Sequence, residues 1–489
     1  MPSRLRLNGP TSIKAAKPEL TLQPPPTPSS HETLIELSAA LTILDVIQPQ
    51  QESASGNITE DSVFEKFASS SDLSFANNIG VDLPDILWAV ALIFSRSRGG
   101  EHVVASVLRE QPQKEDRTKS FFTLYLTTNA RFWSKGDRAY RWKWQNAVNC
   151  DANPLDFKSA LWMELTRCCS ERITGYTEQA LKCFEGIRDE DLQGSDAWIR
   201  EFLEHVKGEL GKGPWNEKFV RSLVEDCWDK FPKENGDQFD AWYTRLREEV
   251  APLERRTSSG PVYPDKKLIM LRNLTNLMKV PRAYRIFAKF QNTLVSKGAR
   301  LEIKLLRGPG VRYSEEIEAA IDKLANEQNH RMSESEVKEA KAKVRWHVQP
   351  HCEIQMLQYF PPSVPSPVPS SEREDVWNVM GCSKRPCFAC AKILRASGFL
   401  FKESHGKAYR QFFLSAEKWL TDDSKMKAAV EELKEKAVKR VREYEPKSTK
   451  MDEPDSPLLS DWKFDTLQTL EQTALAAKPV VGEHGVSQT

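Results

Sequence analysis

One histidine, one glutamate and two cysteines have the spacing of a catalytic metal centre. His351 and Glu353 stand two residues apart, and Cys387 and Cys390 stand three residues apart directly after a proline. One imidazole and two thiolates give Zn²⁺ three protein ligands and leave a fourth position for water, whose pKa then falls toward neutrality. Glu353 is predicted to carry protons without binding the metal. The pattern therefore predicts zinc held by His351, Cys387 and Cys390.

A Cys-x-x-Cys pair alone has two other interpretations, a structural zinc site or a thiol redox pair. Structural zinc usually needs a fourth protein ligand, and the nearby candidates are Cys382 and His405. The full H-x-E then P-C-x-x-C pattern, with each half predicted at the start of a helix, is that of zinc-dependent nucleobase deaminases. Cys352, between His351 and Glu353, is interpreted as a packing residue.

The segment from Pro350 to Tyr409 resembles the nucleic acid and nucleotide deaminase superfamily, and most closely its fungal OTT-type branch. The resemblance rests on His351-x-Glu353, on Gly381-Cys382-Ser383-Lys384 leading into Cys387-x-x-Cys390, and on Ser404-His405-Gly406-Lys407 with Tyr409. It implies a three-layer α/β sandwich with a central mixed sheet. It also implies hydrolytic removal of an amino group from a base in a nucleotide or nucleic acid.

Basic residues near these motifs predict contacts to a polyanionic substrate. Lys384, His405 and Lys407 are the candidate substrate-binding residues, although His405 equally fits an exposed turn. A second basic stretch, from Arg272 to Arg312, is interleaved with aromatic residues. It could track and stack a single strand, or its aromatics could form the buried face of an amphipathic helix.

Composition restricts the remaining function classes. The 489 residues include 70 basic and 69 acidic side chains, so net charge alone does not point to nucleic acid. The longest apolar run, 86–94, is about half of what a membrane helix requires, and the N-terminus lacks the apolar core of a secretory signal. We therefore expect a cytoplasmic or nuclear protein with no membrane contact. The pattern does not indicate an oligomeric state.

The elements that must position the site fall into an α+β multidomain arrangement. We predict a largely α-helical N-terminal domain followed by a cytidine-deaminase-like three-layer α/β/α domain. In the second domain, paired strands are expected at 301–305 and 344–348 from their alternating pattern. The predicted divisions are a disordered segment 1–30, a helical domain 31–299, a zinc-dependent deaminase-like domain 300–446 and a flexible tail 447–489.

Two functions from different classes follow. The first is a zinc-dependent hydrolytic deaminase acting on cytosine or adenine in a nucleotide or nucleic acid. The second is a catalytically inactive, zinc-stabilised module that binds nucleic acid or protein. Glu353 favours the first, because a binding module has no need of a carboxylate two residues from a ligand. A third interpretation is a scaffold whose N-terminal helices carry the function. No chemical motif in that region supports it.

Overall fold

A mixed five-stranded sheet forms the centre of the protein. The structure is a computed structural model, and its strands are β1 (Val104–Pro112), β2 (Ser120–Thr128), β3 (Arg300–Leu305), β4 (Val379–Cys382) and β5 (Leu400–Phe401). They lie side by side in the order β3-β2-β1-β4-β5. β1 pairs antiparallel with both β2 and β4, whereas β2 with β3 and β4 with β5 are parallel pairs.

The described residues are 28–47, 82–96, 102–113, 119–129, 133–149, 160–185, 266–306, 314–327, 332–346, 350–360, 376–401 and 424–444, with scattered positions between 187 and 250. The predicted disordered segment 1–30 lies outside them as far as residue 27, and the predicted flexible tail 447–489 lies outside them entirely.

Helices cover both faces of the sheet and form two hydrophobic cores. The first core contains residues of α2 (Leu83–Phe94), α3 (Lys135–Val148), α4 (Ala160–Cys168), α5 (Ser170–Phe184) and α6 (Lys266–Ser296). The second core contains residues of α1 (Pro28–Ile47), α7 (Ser314–Glu327), α8 (Glu334–Trp346), α9 (Cys352–Tyr359), α10 (Phe388–Ala396) and α11 (Ser424–Arg442).

The alternation of side chains along β1 separates the two cores. Val104 and Leu108 point into the first core, while Ala105 and Val107 point into the second. Successive side chains of a strand point to opposite faces, so a strand that is apolar at both parities is buried on both sides. This arrangement is a mixed sheet between two helical layers.

The helical interpretation of 31–299 is corrected at β1 and β2, which are central strands. β1 has β-branched residues, and β2 has aromatic and β-branched residues, at both odd and even positions. This composition fits strands buried on two faces and hides the period-2 pattern. The sheet therefore takes strands from both sides of residue 300, where a domain boundary was predicted. The domain division itself stays a prediction.

The strand predicted at 344–348 is also wrong, because Val344 to Trp346 form the end of α8. Val337, Ala340 and Val344 recur at helical spacing, and Ala340 and Val344 are buried. The strand predicted at 301–305 is confirmed by β3, and the helix starts predicted at the two halves of the motif are confirmed by α9 and α10. The first helix begins at Pro28, slightly before the predicted limit of disorder.

Helix α2 lies unusually close to β4. A Cβ added to Gly381 would stand 2.2 Å from the backbone carbonyl carbon of Leu87, so only glycine permits this approach. The hydroxyl of Ser106 on β1 donates to the Leu87 carbonyl oxygen at 2.7 Å. The strand that leads to the two cysteines is therefore fixed against a helix almost 300 residues earlier in the chain. None of the described helices is long and apolar enough to cross a membrane.

Candidate metal centre

Two helix N-termini meet at the predicted metal ligands. His351 occupies the N-cap position of α9, and Cys387 occupies the N-cap position of α10. The Cys387 sulfur accepts a hydrogen bond from the backbone N–H of Cys390, one turn later, at 3.4 Å. Helix N-termini carry partial positive charge and favour a thiolate at this position. The local folding of α10 thus prepares its first residue for metal binding.

His351, Cys387 and Cys390 form one buried group with a geometry that suits a zinc ion. Their potential ligand atoms all lie within 4.8 Å of one another. The Nδ1 atom of His351 is 3.2 Å from the Cys390 sulfur and 3.5 Å from the Cys387 sulfur. Tetrahedral zinc, with bonds of about 2.0 Å to nitrogen and 2.3 Å to sulfur, holds such atoms roughly 3.6 Å apart. The donor set therefore fits zinc in both chemistry and spacing.

The charges of the three side chains depend on one another. Burial opposes ionisation of the Cys387 thiol, but hydrogen bonding with Cys390 and the charge of His351 hold the pKa of Cys387 well below its usual value. Burial also tends to lower the pKa of His351, and the neighbouring Cys387 thiolate raises it instead. Burial and the same thiolate raise the pKa of Cys390. Cys390 would lose its proton on binding a divalent cation.

Glu353 is a buried carboxyl group beside this cluster, with a side chain only 3% exposed. Its Oε2 atom accepts from the Cys352 thiol at 3.3 Å and lies 3.9 Å from the Cys390 sulfur. Burial raises the pKa of Glu353 above its usual value, against the opposing charge of His351. A buried carboxyl group beside a metal-ligand cluster is suited to accept and return a proton.

The end of β2 holds the first turn of α9 in place. The Thr127 hydroxyl donates to the Cys352 carbonyl oxygen at 2.7 Å, and the Cys352 N–H donates to Asn129 Oδ1 at 2.6 Å. The amide of Gln355 donates to the carbonyl oxygens of Thr128 and Pro350, at 2.9 and 2.7 Å. These contacts orient the helix that presents both His351 and Glu353.

These supporting residues precede α9 by more than 200 positions, so the motif around His351 does not predict them. The segment Ser120–Thr128, SFFTLYLTT, is rich in aromatic and β-branched residues that favour a strand. That composition could have identified β2. Its pairing with the metal-ligand region has no local sequence signal.

The other two cysteines near the site lie outside the ligand group. Among the described residues, the metal-ligand cluster contains neither Cys352 nor Cys382. Burial, and then the nearby Glu353 carboxylate, raises the pKa of both thiols well above the usual value. Cys352 is fully buried, as a packing residue would be, and in addition donates to Glu353. His405, the other alternative fourth ligand, lies outside the described residues.

The predicted substrate-binding residues are only partly described. Lys384 is exposed in the connection from β4 to α10, three residues before Cys387. His405 and Lys407 lie outside the described residues. In α6, Tyr284, Phe287 and Phe290 are buried at 1%, 1% and 0% exposure. Of the two alternatives for the basic stretch, the buried face of an amphipathic helix is confirmed for these three aromatics, and stacking on a single strand is excluded for them.

Comparison with known proteins gives a match to one segment. Residues 350–415 match the family model of the OTT_1508-like deaminases. No curated protein and no solved structure matches the chain. The matched segment contains His351, Glu353, Cys387 and Cys390, whereas β1, β2 and most of the helices lie outside it. The candidate metal centre therefore lies in a segment of the chain that is similar to a deaminase family.

Proposed function

We propose that this protein is a zinc-dependent hydrolytic deaminase. The observation that carries the proposal is the buried cluster of His351, Cys387 and Cys390 with the Glu353 carboxylate 3.9 Å from one ligand sulfur. This cluster lies in the segment that is similar to a deaminase family. A closed structural zinc site would need a fourth protein ligand and would have no use for the carboxyl group.

The three ligands would hold zinc through His351 Nδ1 and the two sulfur atoms. Zinc bound by three protein ligands supplies Lewis acidity, which lowers the pKa of a water molecule at the fourth position. Hydrogen bonds from the end of β2 keep α9, and with it His351 and Glu353, in a fixed orientation. Most residues of α9 are buried, which limits the access of bulk water to the carboxyl group.

Glu353 would transfer the protons of the reaction. Glu353 would accept the first proton of the attacking water, whose oxygen bonds to the amino-bearing ring carbon, and would pass that proton to the ring nitrogen. It would then carry the second proton of the same oxygen to the amino group, so that a ring carbonyl forms, the carbon–nitrogen bond breaks and ammonia leaves. Water and an amino-substituted ring give a ring carbonyl and ammonia, so no oxidant or reductant is needed.

The substrate that we propose is cytosine or adenine in a nucleotide or nucleic acid. The resemblance to the fungal OTT-type branch of the nucleic acid and nucleotide deaminases supports this class. Exposed basic residues at Lys384 and Arg385, next to the Cys387 ligand, support a phosphate-bearing substrate.

The test combines metal analysis with a screen for released ammonia. Purified full-length protein should contain about one zinc per chain, and a panel of nucleosides, nucleotides and single strands should include a substrate. Cys387→Ser should lose zinc and activity together, while Cys168→Ser, a cysteine of α4 far from the ligands in sequence, should retain both. Zinc without ammonia release from any member of the panel would leave the inactive zinc-stabilised module as the function. Absence of zinc from the wild-type protein would refute the proposal.

A further inference from the structure

Helix α3 exposes a large aromatic side chain on a basic surface. Trp142 is 59% exposed, whereas Trp144, on the opposite side of the same helix, is fully buried. Lys135, Arg138 and Trp142 recur at a spacing of three and four residues, which places them along one stripe of the helix. All three are exposed. We define the outer face of α3 by these three residues.

Acidic groups near this face are already engaged. Asp137 accepts from the backbone N–H of Ser134 in a capping box and forms an ion pair with Arg96. On the neighbouring helix α4, Glu164 pairs with both Lys143, at 2.8 Å, and Arg167. Glu164 thus pairs with two basic side chains, and Asp137 pairs with Arg96, which lies outside α3. Among the described residues of α3 and α4, these two carboxylates stand against five basic side chains: Lys135, Arg138, Arg141, Lys143 and Arg167.

Side-chain hydrogen bonds attach the helix that carries this face to the sheet and to α6. Its Gln145 amide donates to the Leu301 carbonyl oxygen and accepts from the Ile303 N–H, both at 2.5 Å, along the edge of β3. From α6, the Gln291 amide donates to the carbonyl oxygen of Ala147 at 3.1 Å. A rigid platform loses little conformational entropy when a ligand stacks on it.

We propose that the outer face of α3 binds a single-stranded polynucleotide, with a base stacked on Trp142 and phosphates next to Lys135 and Arg138. Aromatic side chains stack bases of any sequence, and basic neighbours track the backbone. A duplex keeps its bases paired and would leave Trp142 without a role. An anionic membrane would need a broad apolar face, but the apolar side of α3, with Tyr140, Trp144 and Val148, is buried in the first core.

This surface goes beyond the proposed deamination and is independent of it. The outer face of α3 belongs to a helix of the first core, whereas His351, Cys387 and Cys390 lie on helices of the second core. Strand binding can therefore be measured without turnover. We infer a surface that holds a polymeric strand on the protein, whatever reaction the metal centre performs.

The test measures binding of a fluorescein-labelled, 20-nucleotide single strand of mixed sequence, as DNA and as RNA, by fluorescence anisotropy. Every protein carries Glu353→Gln, so that the probe stays unchanged. Trp142→Ala should weaken binding about tenfold, and Trp142→Phe should restore most of the loss, because stacking on one aromatic residue contributes roughly 5- to 150-fold per base. Replacing both Lys135 and Arg138 with Gln should reduce the slope of log affinity against log salt by about 1.4, or roughly 0.7 for each phosphate contact.

The matched control for charge is Lys439→Gln on α11, a side chain 72% exposed on a helix of the second core. It should leave both affinity and salt slope unchanged. The proposal is overturned if the Glu353→Gln protein without further changes fails to bind the strand, or if Trp142→Ala and the Lys135 and Arg138 double variant bind as tightly as that protein. Binding to phosphatidylserine vesicles that depends on Trp142, without strand binding, would also overturn it. Zinc content and ammonia release from mononucleotides, measured on protein with native Glu353, report separately on the proposed deaminase.

Discussion

Helices α9 and α3 depart from the usual distribution of side chains in opposite directions. α9 buries a carboxyl group, since Glu353 is 3% exposed, whereas α3 exposes 59% of Trp142. Burial of a charged group costs free energy of folding, and an exposed tryptophan forgoes the stabilisation that burial would give. Both departures are more informative than an exposed polar or a buried apolar residue. The first indicates chemistry in a shielded site, and the second indicates a surface for recognition.

The largest effect is expected at the buried carboxyl group. Glu353→Gln preserves the shape of the side chain but removes its ability to carry protons, so turnover should fall about 10⁴-fold, the upper end for a general acid or base. Zinc content and thermal unfolding should stay close to those of the wild type. Steady-state kinetics of ammonia release on the substrate found by screening, together with metal analysis, measure this. If turnover were retained, the buried Glu353 carboxyl group would not be the proton carrier of the reaction.

The two tryptophans of α3 give the next largest contrast. Trp144→Ala should lower the free energy of unfolding by about 3 to 5 kcal/mol, because it leaves a large cavity in the first core. Trp142→Ala should change it by less than about 0.5 kcal/mol, as expected for a surface residue. Urea denaturation of both variants measures the difference. Equal destabilisation would mean that Trp142 is a packing residue, and the contrast between the two helices would be lost.

The smallest effect concerns the support of α9. Thr127→Val keeps the shape of the side chain and removes the hydroxyl that donates to Cys352, so the free energy of unfolding should fall by about 1 kcal/mol. Thr127→Ser retains the hydroxyl and serves as the control. We also expect weaker zinc retention against a chelator in the valine variant, because supporting hydrogen bonds orient ligands. Unchanged retention would show that β2 supports the fold and has no part in the metal centre.

The sequence predicted the metal-ligand cluster better than the architecture that holds it. His351, Glu353, Cys387 and Cys390 are close in sequence, and their spacing follows from the first turns of two helices, so the cluster could be predicted. Thr127 and Asn129 reach the same site only through tertiary folding across more than 200 residues. No local pattern encodes that approach.

β1 and β2 were predicted to be helical because their side chains are buried on both faces of the sheet. An alternating apolar and polar pattern arises only where one face of a strand meets solvent. The strand predicted at 344–348 failed for a related reason. The alternating pattern there is only five residues long, whereas Val337, Ala340 and Val344 recur at helical spacing, and the segment up to Trp346 is helical. Trp142 could not be distinguished from the core tryptophans, since exposure depends on which side of α3 meets the sheet.

The pairing of β1 with β4 has a consequence for the order of events during synthesis. Ala105 pairs with Cys382 and Ser106 with Gly381. β1 is therefore synthesised well before β4, the strand with which it pairs. At ribosomal rates of about 5 to 20 residues per second, the interval between them lasts on the order of 10 to 50 s. The hairpin of β1 and β2 can close within microseconds, but one of its edges stays open to wrong partners for the whole interval. Delayed closure of the sheet thus makes the nascent chain a candidate for protection by chaperones.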